Sequence, residues 1–353
     1  MTYKLAIIGF GTVGQGFAEL LQEKRKYLKD TYGLDFEVVA ISDPLKGSIY
    51  EENGINLKEV LSLVQKEGEI DGYKRGIKGW DSIKTIRETN ADIIAEATPT
   101  NLENGEPGAT HIRIALREGK HVITTNKGPI ALFYRELMEL ARENGKLLKF
   151  EGTVLSGTPA INLALITLAG ANINEIRGIM NGTTNYILTQ MDTGKDYGEA
   201  LKEAQRLGYA ETKPDADVEG WDALAKIVIL SNVLMGADLK VSDVERKGIT
   251  GITLSDIKKA KQENKRYKLI ARAWKEGGKV KARVSPEKVE EDNILFHITG
   301  VNNAIQFQTD ILGCVTITGP GAGRRETGFA LLSDLLDIHR CSCKDCGETR
   351  EEN

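Results

Sequence analysis

The sequence has no apolar run approaching the ~18 residues needed to cross a bilayer as a helix, which excludes a helical membrane protein. It has no surplus of positive charge either. Lysine and arginine number 47 against 51 acids, for a formal charge of −4 and a pI near 5.8. That balance carries no electrostatic footprint for nucleic acid. Cysteine is scarce: Cys314, Cys341, Cys343 and Cys346 are all there are, and three of them fall near the end. Such a distribution is not a disulfide framework holding up the fold. No repeat or low-complexity linker interrupts the chain, and MTYKLAIIGFG reaches glycine too soon for a signal peptide. A cytoplasmic enzyme or sensor is the expectation. The 353 residues, 41% hydrophobic and 28% charged, have an ordinary globular composition with length for two domains.

The apolar run YKLAII (3–8) reads as a buried strand and is followed at once by GFGTVG. Gly9, Gly11 and Gly14 hold the GxGxxG spacing, and a helical pattern runs from Val13 to about Tyr27. The three glycines suit a tight turn, close backbone approach to a pyrophosphate, and helix–strand contact. Thr12 and Val13 open the helix, whose free N–H groups favour an anion. A dinucleotide site is the expectation. The next strand, FEVVAISD, ends at Asp43, an acid suited to a ribose 2′-hydroxyl and hence to NAD. Lys46 follows and could meet the 2′-phosphate of NADP instead, and Ser42 to Gly47 also reads as a simple turn.

Weak helical patterns fill 51–90, and then strand–helix alternation resumes: ADIIAEAT, GATHIRIALREGK and HVITTNK. The alternation predicts an α/β fold with a doubly wound parallel sheet, whose ligands gather beyond the carboxyl ends of the strands. That rule puts Thr98, Pro99, Asn126 and Lys127 beside a cofactor, although a strand-end lysine also caps surface loops. A helix near Leu132 to Asn144 leads to KLLKFEGTV, read as a strand that begins a second region. In EGTVLSGTPA, Glu151 and nearby carbonyls and hydroxyls suit a hard monovalent cation, and a plain turn needs the same glycines and proline. Later segments (EIRGIM, KRYKLIARAW, KVKARVSP, ILFHITG, AIQFQT, CVTITG) read as an antiparallel sheet with helices on one face. GPGAG precedes a last helix expected to dock on the first domain.

One stretch organises the rest. GYAETKPDADVEGWDALAK (208–226) begins as an acidic loop and becomes an apolar helix whose charged residues between Trp221 and Leu230 are Asp222 and Lys226. Four apart, they share a face with about 6 Å of rise between them. A lysine in a helix that is apolar nearly all round is either half of a buried structural pair or a catalytic ammonium.

The chain resembles homoserine dehydrogenase. The resemblance covers residues 3 to about 340 and is carried by IGFGTVG (8–14), EATPT (96–100), TTNKGPIA (124–131), EGTVLSGTP (151–159), GIMNGTTNYIL (178–188), the 208–226 stretch and GPGAG (319–323). It implies NAD(P)-linked interconversion of L-aspartate 4-semialdehyde and L-homoserine, on the route to threonine and methionine, by a homodimer. It implies a Rossmann-type domain over 1–135, completed by a helix at about 320–340, and an α+β catalytic and dimerisation domain over 136–319 with a largely antiparallel sheet; the Cys-rich tail at 341–353 is not explained by it. By motif, Lys226 looks like the proton donor to the aldehyde oxygen and Asp222 its partner. Lys127 resembles the second lysine, between cofactor and substrate. Glu211 looks like the ligand of the substrate ammonium, with Asp217 near it, and Gly323 like a return contact to the cofactor. Glu151, Val154, Ser156 and Thr158 match the family's loop for a monovalent cation such as Na+. Two departures stand out. Lys213 occupies a position usually held by Asp, Asn or Ser, and the sequence given ends without the regulatory ACT domain of some relatives, so threonine feedback through it is not expected.

Fixed cations aimed at an oxygen that gains charge in the transition state give differential stabilisation, and two lysines from different domains answer that need. The tail leaves three readings open: His339 with Cys341, Cys343 and Cys346 as zinc ligands, a redox disulfide, or a disordered segment. A non-catalytic dinucleotide sensor, or another amino-acid dehydrogenase of similar architecture, are the rival functions.

Overall fold

A run such as Leu5–Ile8, in which every residue is fully buried, belongs to a strand covered on both faces. In the computed structural model, which describes residues 2–345, that run lies at the centre of a seven-stranded sheet. From one edge the order is Ile77–Lys78, Gly47–Tyr50, Asp35–Asp43, Thr2–Ile8, Ile93–Glu96, His121–Thr124 and Leu148–Lys149. The last five are parallel, as expected from the strand–helix alternation, and the first two add an antiparallel edge. This sheet belongs to a unit formed by the chain through Gly157 together with the chain from Gly323 onward. The unit therefore extends past residue 135. Leu148–Lys149 does not begin a second region; it pairs with His121–Thr124 as the far edge of the first sheet. The helix expected from Leu132 starts earlier, at Lys127, because Asn126 caps it by accepting from Gly128 N, and it kinks at Phe133.

The first helix, Thr12–Tyr32, outruns its apolar pattern and stops at Gly33, whose positive φ lets its N–H reach back to the Lys29 carbonyl. The closing helix, Arg324–Asp345, lies against it with backbones nearly touching. A Cβ built on Gly16 would stand 2.1 Å from the Arg324 carbonyl oxygen, and one on Gly328 would stand 2.6 Å from Gly16. Around that crossing Phe17, Leu21, Leu331 and Leu335 are fully buried, and Arg324 and Arg325 pair with Glu19 and Glu23. His339 belongs to this docking. Its Nε2 donates to the Tyr32 carbonyl at 2.9 Å and its ring packs edge-on against Tyr3, so it serves the helix contact. Among the described residues no cluster of three or more His, Cys, Asp or Glu could hold a metal, while the Cys343 side chain and Cys346 lie outside them.

The second unit spans Thr158–Ala322. Its six-stranded sheet runs Cys314–Pro320, Asn302–Thr309, Ile173–Ile179, Lys265–Glu276, Lys279–Glu290 and Glu245–Arg246. All pairs are antiparallel except the last. ILFHITG is not one of the strands. Asn293 accepts from Leu295 N and starts a short helix, Ile294–His297, that buries Leu295 against the sheet. The helix Trp221–Leu234 packs on this sheet, and every residue from Ala223 to Asn232 is buried, Lys226 among them. No helix among the described residues is long and apolar enough to cross a membrane.

Candidate active site

In the first unit the glycines of GFGTVG divide the work that their spacing suggests. Gly9 has φ +90°, and a Cβ there would stand 2.6 Å from the Ala97 carbonyl oxygen, so the turn admits only glycine. A Cβ at Gly14 would stand 2.2 Å from the Gly9 carbonyl oxygen, which lets the helix start hard against the strand. A Cβ at Gly11 would meet nothing within 4 Å. The first amides of a 21-residue helix, beginning with Thr12 and Val13, therefore open onto free space where an anion fits. Beside them lies a groove of about 760 Å³ lined by Gly9, Asp43, Leu45, Trp80, Thr98 and Pro99 among others. The cradle fits a dinucleotide. Asp43 shapes it: Oδ2 accepts from Phe10 N at 2.7 Å, and Oδ1 accepts from Leu45 N and Lys46 N at 2.9 and 3.0 Å. Lys46 does not line the groove, and its ammonium donates to the Gly68 carbonyl at 3.2 Å.

The strand ends that carry Thr98, Pro99 and Lys127 are tied together. Asn126 Nδ2 donates to Thr98 Oγ1 at 3.3 Å and to the Pro99 carbonyl at 3.4 Å, and its Oδ1 caps the helix that Lys127 begins. Beneath them is Glu96, wholly buried at the end of its strand, a residue the sequence reading did not single out.

In the second unit Lys226 is 6% exposed, and its ammonium donates to Asp222 Oδ2 and to the Met180 carbonyl, both at 2.7 Å. An ammonium has three donors. The third has no partner among the described residues. Asn181, the residue after Met180, joins the acids: its Nδ2 donates to Asp217 Oδ1 at 2.6 Å and to Asp222 Oδ2 at 3.0 Å. The same side chain caps the helix Gly182–Asp192, its Oδ1 accepting from Thr184 N at 2.9 Å. Burial pushes the Asp217 carboxyl above its usual range, and the Asp222 charge beside it pushes the same way. Lys226, Asp222 and Asp217 are thus one cluster. Its hub is Asn181, which from sequence reads only as a turn residue.

Glu211 is not part of that cluster. Its side chain is exposed on the loop before Pro214 and, among the described residues, makes no hydrogen bond or ion pair, while Gln205 Nε2 holds its carbonyl at 3.1 Å. Lys213 is exposed on the same loop. In the 151–158 stretch Glu151 and Val154 are buried, Leu155 and Ser156 take positive φ of 44° and 56°, and Ser156 Oγ bonds Thr327 Oγ1 at 2.8 Å. Thr158 Oγ1 donates to the Pro320 carbonyl at 3.1 Å. Gly323 has φ +137° and heads the closing helix, its carbonyl accepting from Thr327 N.

Comparison with known proteins bears on the family. Residues 159–336 match the family model of homoserine dehydrogenase, and residues 9–151 match the homoserine dehydrogenase NAD binding domain. An NAD(+)-dependent homoserine dehydrogenase of Pseudomonas canavaninivorans is 44% identical over 343 residues, 97% of each chain. A solved putative homoserine dehydrogenase of Archaeoglobus fulgidus superposes with a TM-score of 0.85 at 40% identity, covering 95% of this chain and 99% of that one. A hyperthermophilic archaeal homoserine dehydrogenase, solved as a mutant in complex with NADPH, superposes with a TM-score of 0.83 at 33% identity, covering 97% and 98%. The chain belongs to the homoserine dehydrogenase family of NAD(P)-dependent oxidoreductases.

Proposed function

We propose that this protein interconverts L-aspartate 4-semialdehyde and L-homoserine, on the route to threonine and methionine, with Lys226 as the proton donor to the aldehyde oxygen. The reading is carried by the Lys226 ammonium, nearly excluded from water and committed to Asp222 and the Met180 carbonyl, with one donor left over. When bound, the reduced nicotinamide supplies the hydride to the aldehyde carbon. Lys226 meets the charge that then develops on oxygen with an oriented N–H in a site of low dielectric. Asp222 keeps that ammonium aimed, and Asn181 donates to both Asp222 and Asp217, offsetting part of their mutual repulsion. Glu211 and Asp217 bind the substrate ammonium, and Lys127 is the second lysine of the reaction. Gly9, Gly11, Thr12, Val13, Gly14, Asp43, Thr98, Pro99 and Gly323 hold the cofactor. The 151–158 loop takes a monovalent cation, and the active form is a homodimer assembled through the antiparallel sheet.

The cofactor preferred in this reading is NAD. Asp43, Asp71 and Asp81 line the groove together with one lysine, Lys78, whose ammonium is bound to the Asp71 carbonyl, and Lys46 does not line it. A 2′-phosphate, with roughly −1.5 to −2 charges at neutral pH, is poorly placed where three carboxylates face one lysine. The Pseudomonas relative is described as NAD(+)-dependent. Assaying homoserine oxidation with NAD and with NADP tests both parts. Turnover that is faster, at matched concentrations, with NAD is expected. Binding of either nucleotide without turnover would establish the sensor reading instead.

A further inference from the structure

We infer that Glu96 is a positioning residue for the dinucleotide, a single buried carboxylate that sets the two strand-end segments of the cofactor site against each other, with His111 as its ring partner. The inference rests on the dinucleotide reading above and adds residues to it. Glu96 is 0% exposed, and a carboxylate so placed is costly unless its oxygens are bonded. They are. Oε1 accepts from Thr98 N at 3.1 Å and from the Thr98 hydroxyl, and Oε2 lies 3.1 Å from the Thr124 hydroxyl, whose one proton it shares with Glu96's own carbonyl at 2.9 Å. Through Thr98 the carboxylate holds the segment leading into Pro99. Through Thr124, whose Oγ1 accepts from Asn126 N at 3.0 Å, it holds the residue that caps the helix begun by Lys127. The two arms meet again where Asn126 Nδ2 reaches Thr98 Oγ1.

The remaining contact of Glu96 is with His111, 3% exposed, whose Nδ1 lies 3.5 Å from Oε1. A carboxylate only accepts, so Nδ1 carries a proton toward it. In the neutral ring Nε2 then accepts from the Ser82 hydroxyl at 2.8 Å. His111 and Ser82 both line the groove, as do Thr98 and Pro99. Glu96 itself is fully buried and is not among the residues that line the groove. Its influence runs through neighbours that already have fixed geometry, which is how supporting groups tune a site.

The test is calorimetric titration of NAD into the intact protein and into Glu96→Gln, Glu96→Ala and His111→Phe, each with a thermal melt, alongside KM for NAD and for homoserine. Glu96→Ala is expected to weaken NAD binding about tenfold, or about 1.4 kcal/mol. Glu96→Gln keeps an acceptor for Thr98 N but loses the charge facing His111, so a several-fold loss is expected with melting close to wild type. His111→Phe is expected to behave like Glu96→Gln. In all three, KM for NAD rises while KM for homoserine stays within about twofold, a split that loss of folded protein alone does not produce. If Glu96→Ala does not fold, the Gln and Phe variants decide. Folded variants that bind NAD as the wild type does, whatever their melting temperatures, overturn the assignment. A wild-type protein that binds neither NAD nor NADP overturns it together with the reading beneath it.

Discussion

Replacing Lys226 tests whether it is only half of an ion pair with Asp222 or also the proposed acid. Lys226→Met keeps the volume and removes the charge 2.7 Å from Asp222. Breaking a buried pair costs about 3–5 kcal/mol when the survivor stays dry. Here the Asp222 side chain is 16% exposed and still accepts from Asn181, so the loss should be smaller, about 1–3 kcal/mol. Losing a positioned general acid costs about 10²–10⁴ in rate, which is roughly 3–5 kcal/mol of barrier. Turnover should therefore fall much further than stability, and much further than the substrate KM rises. Two companion variants sharpen this. Lys226→Arg keeps a cation for Asp222 but one that does not give up its proton at working pH, so it should stay folded and inactive. Lys226→Met with Asp222→Asn removes both charges and should recover stability without recovering kcat. Steady-state kinetics and thermal melts on the set provide the comparison. Near-wild-type kcat in Lys226→Arg, or a rate that returns in the double variant, would refute the acid role and leave a structural pair.

Other predictions follow from single contacts. Asn181→Ala strips the shared donor from Asp217 and Asp222 and the cap from Gly182–Asp192, so kcat/KM should fall and stability should drop by about 2 kcal/mol, with Asn181→Asp worse on both counts. Gly16→Ala puts a methyl 2.1 Å from the Arg324 carbonyl oxygen and should destabilise by about 1–3 kcal/mol despite alanine's better helix propensity. Gly11→Ala, whose methyl meets nothing, should melt like wild type but bind NAD more weakly; equal melting of the two variants would contradict the packing argument. Asp334 is fully buried in the closing helix, and burial, helped by the Glu151 charge, raises its carboxyl well above the usual range. Its folded pKa exceeds its unfolded one, so its contribution is fully present below the unfolded value and is lost as pH rises through the folded value. Asp334→Asn, which still accepts from Glu151 N, should then raise the melting temperature at neutral pH and match wild type in acid; melts that differ equally at every pH would contradict this.

The parallel sheet could be read from the chain because its strands are buried on both faces and bounded by glycine, signals confined to a few neighbouring residues. The family could be read for the same reason, from contiguous motifs such as 178–188 and 208–226. Where a segment's apolar pattern suits either element, pattern alone misled. ILFHITG alternates like a strand, yet Asn293 caps it into a helix, and Leu148–Lys149 joined the sheet on the side that its partner strand offered.

What local sequence determined here is therefore the kind of element and the family's residues: the glycine turn, the apolar helix, and Asp222 four residues before Lys226. Tertiary structure alone decided who meets whom. Met180 and Lys226 are 46 residues apart, Asn181 and Asp217 are 36 apart, and Thr124 and Glu96 are 28 apart. A buried polar group must find its partner wherever the packed chain brings one, and no spacing along the sequence records that meeting.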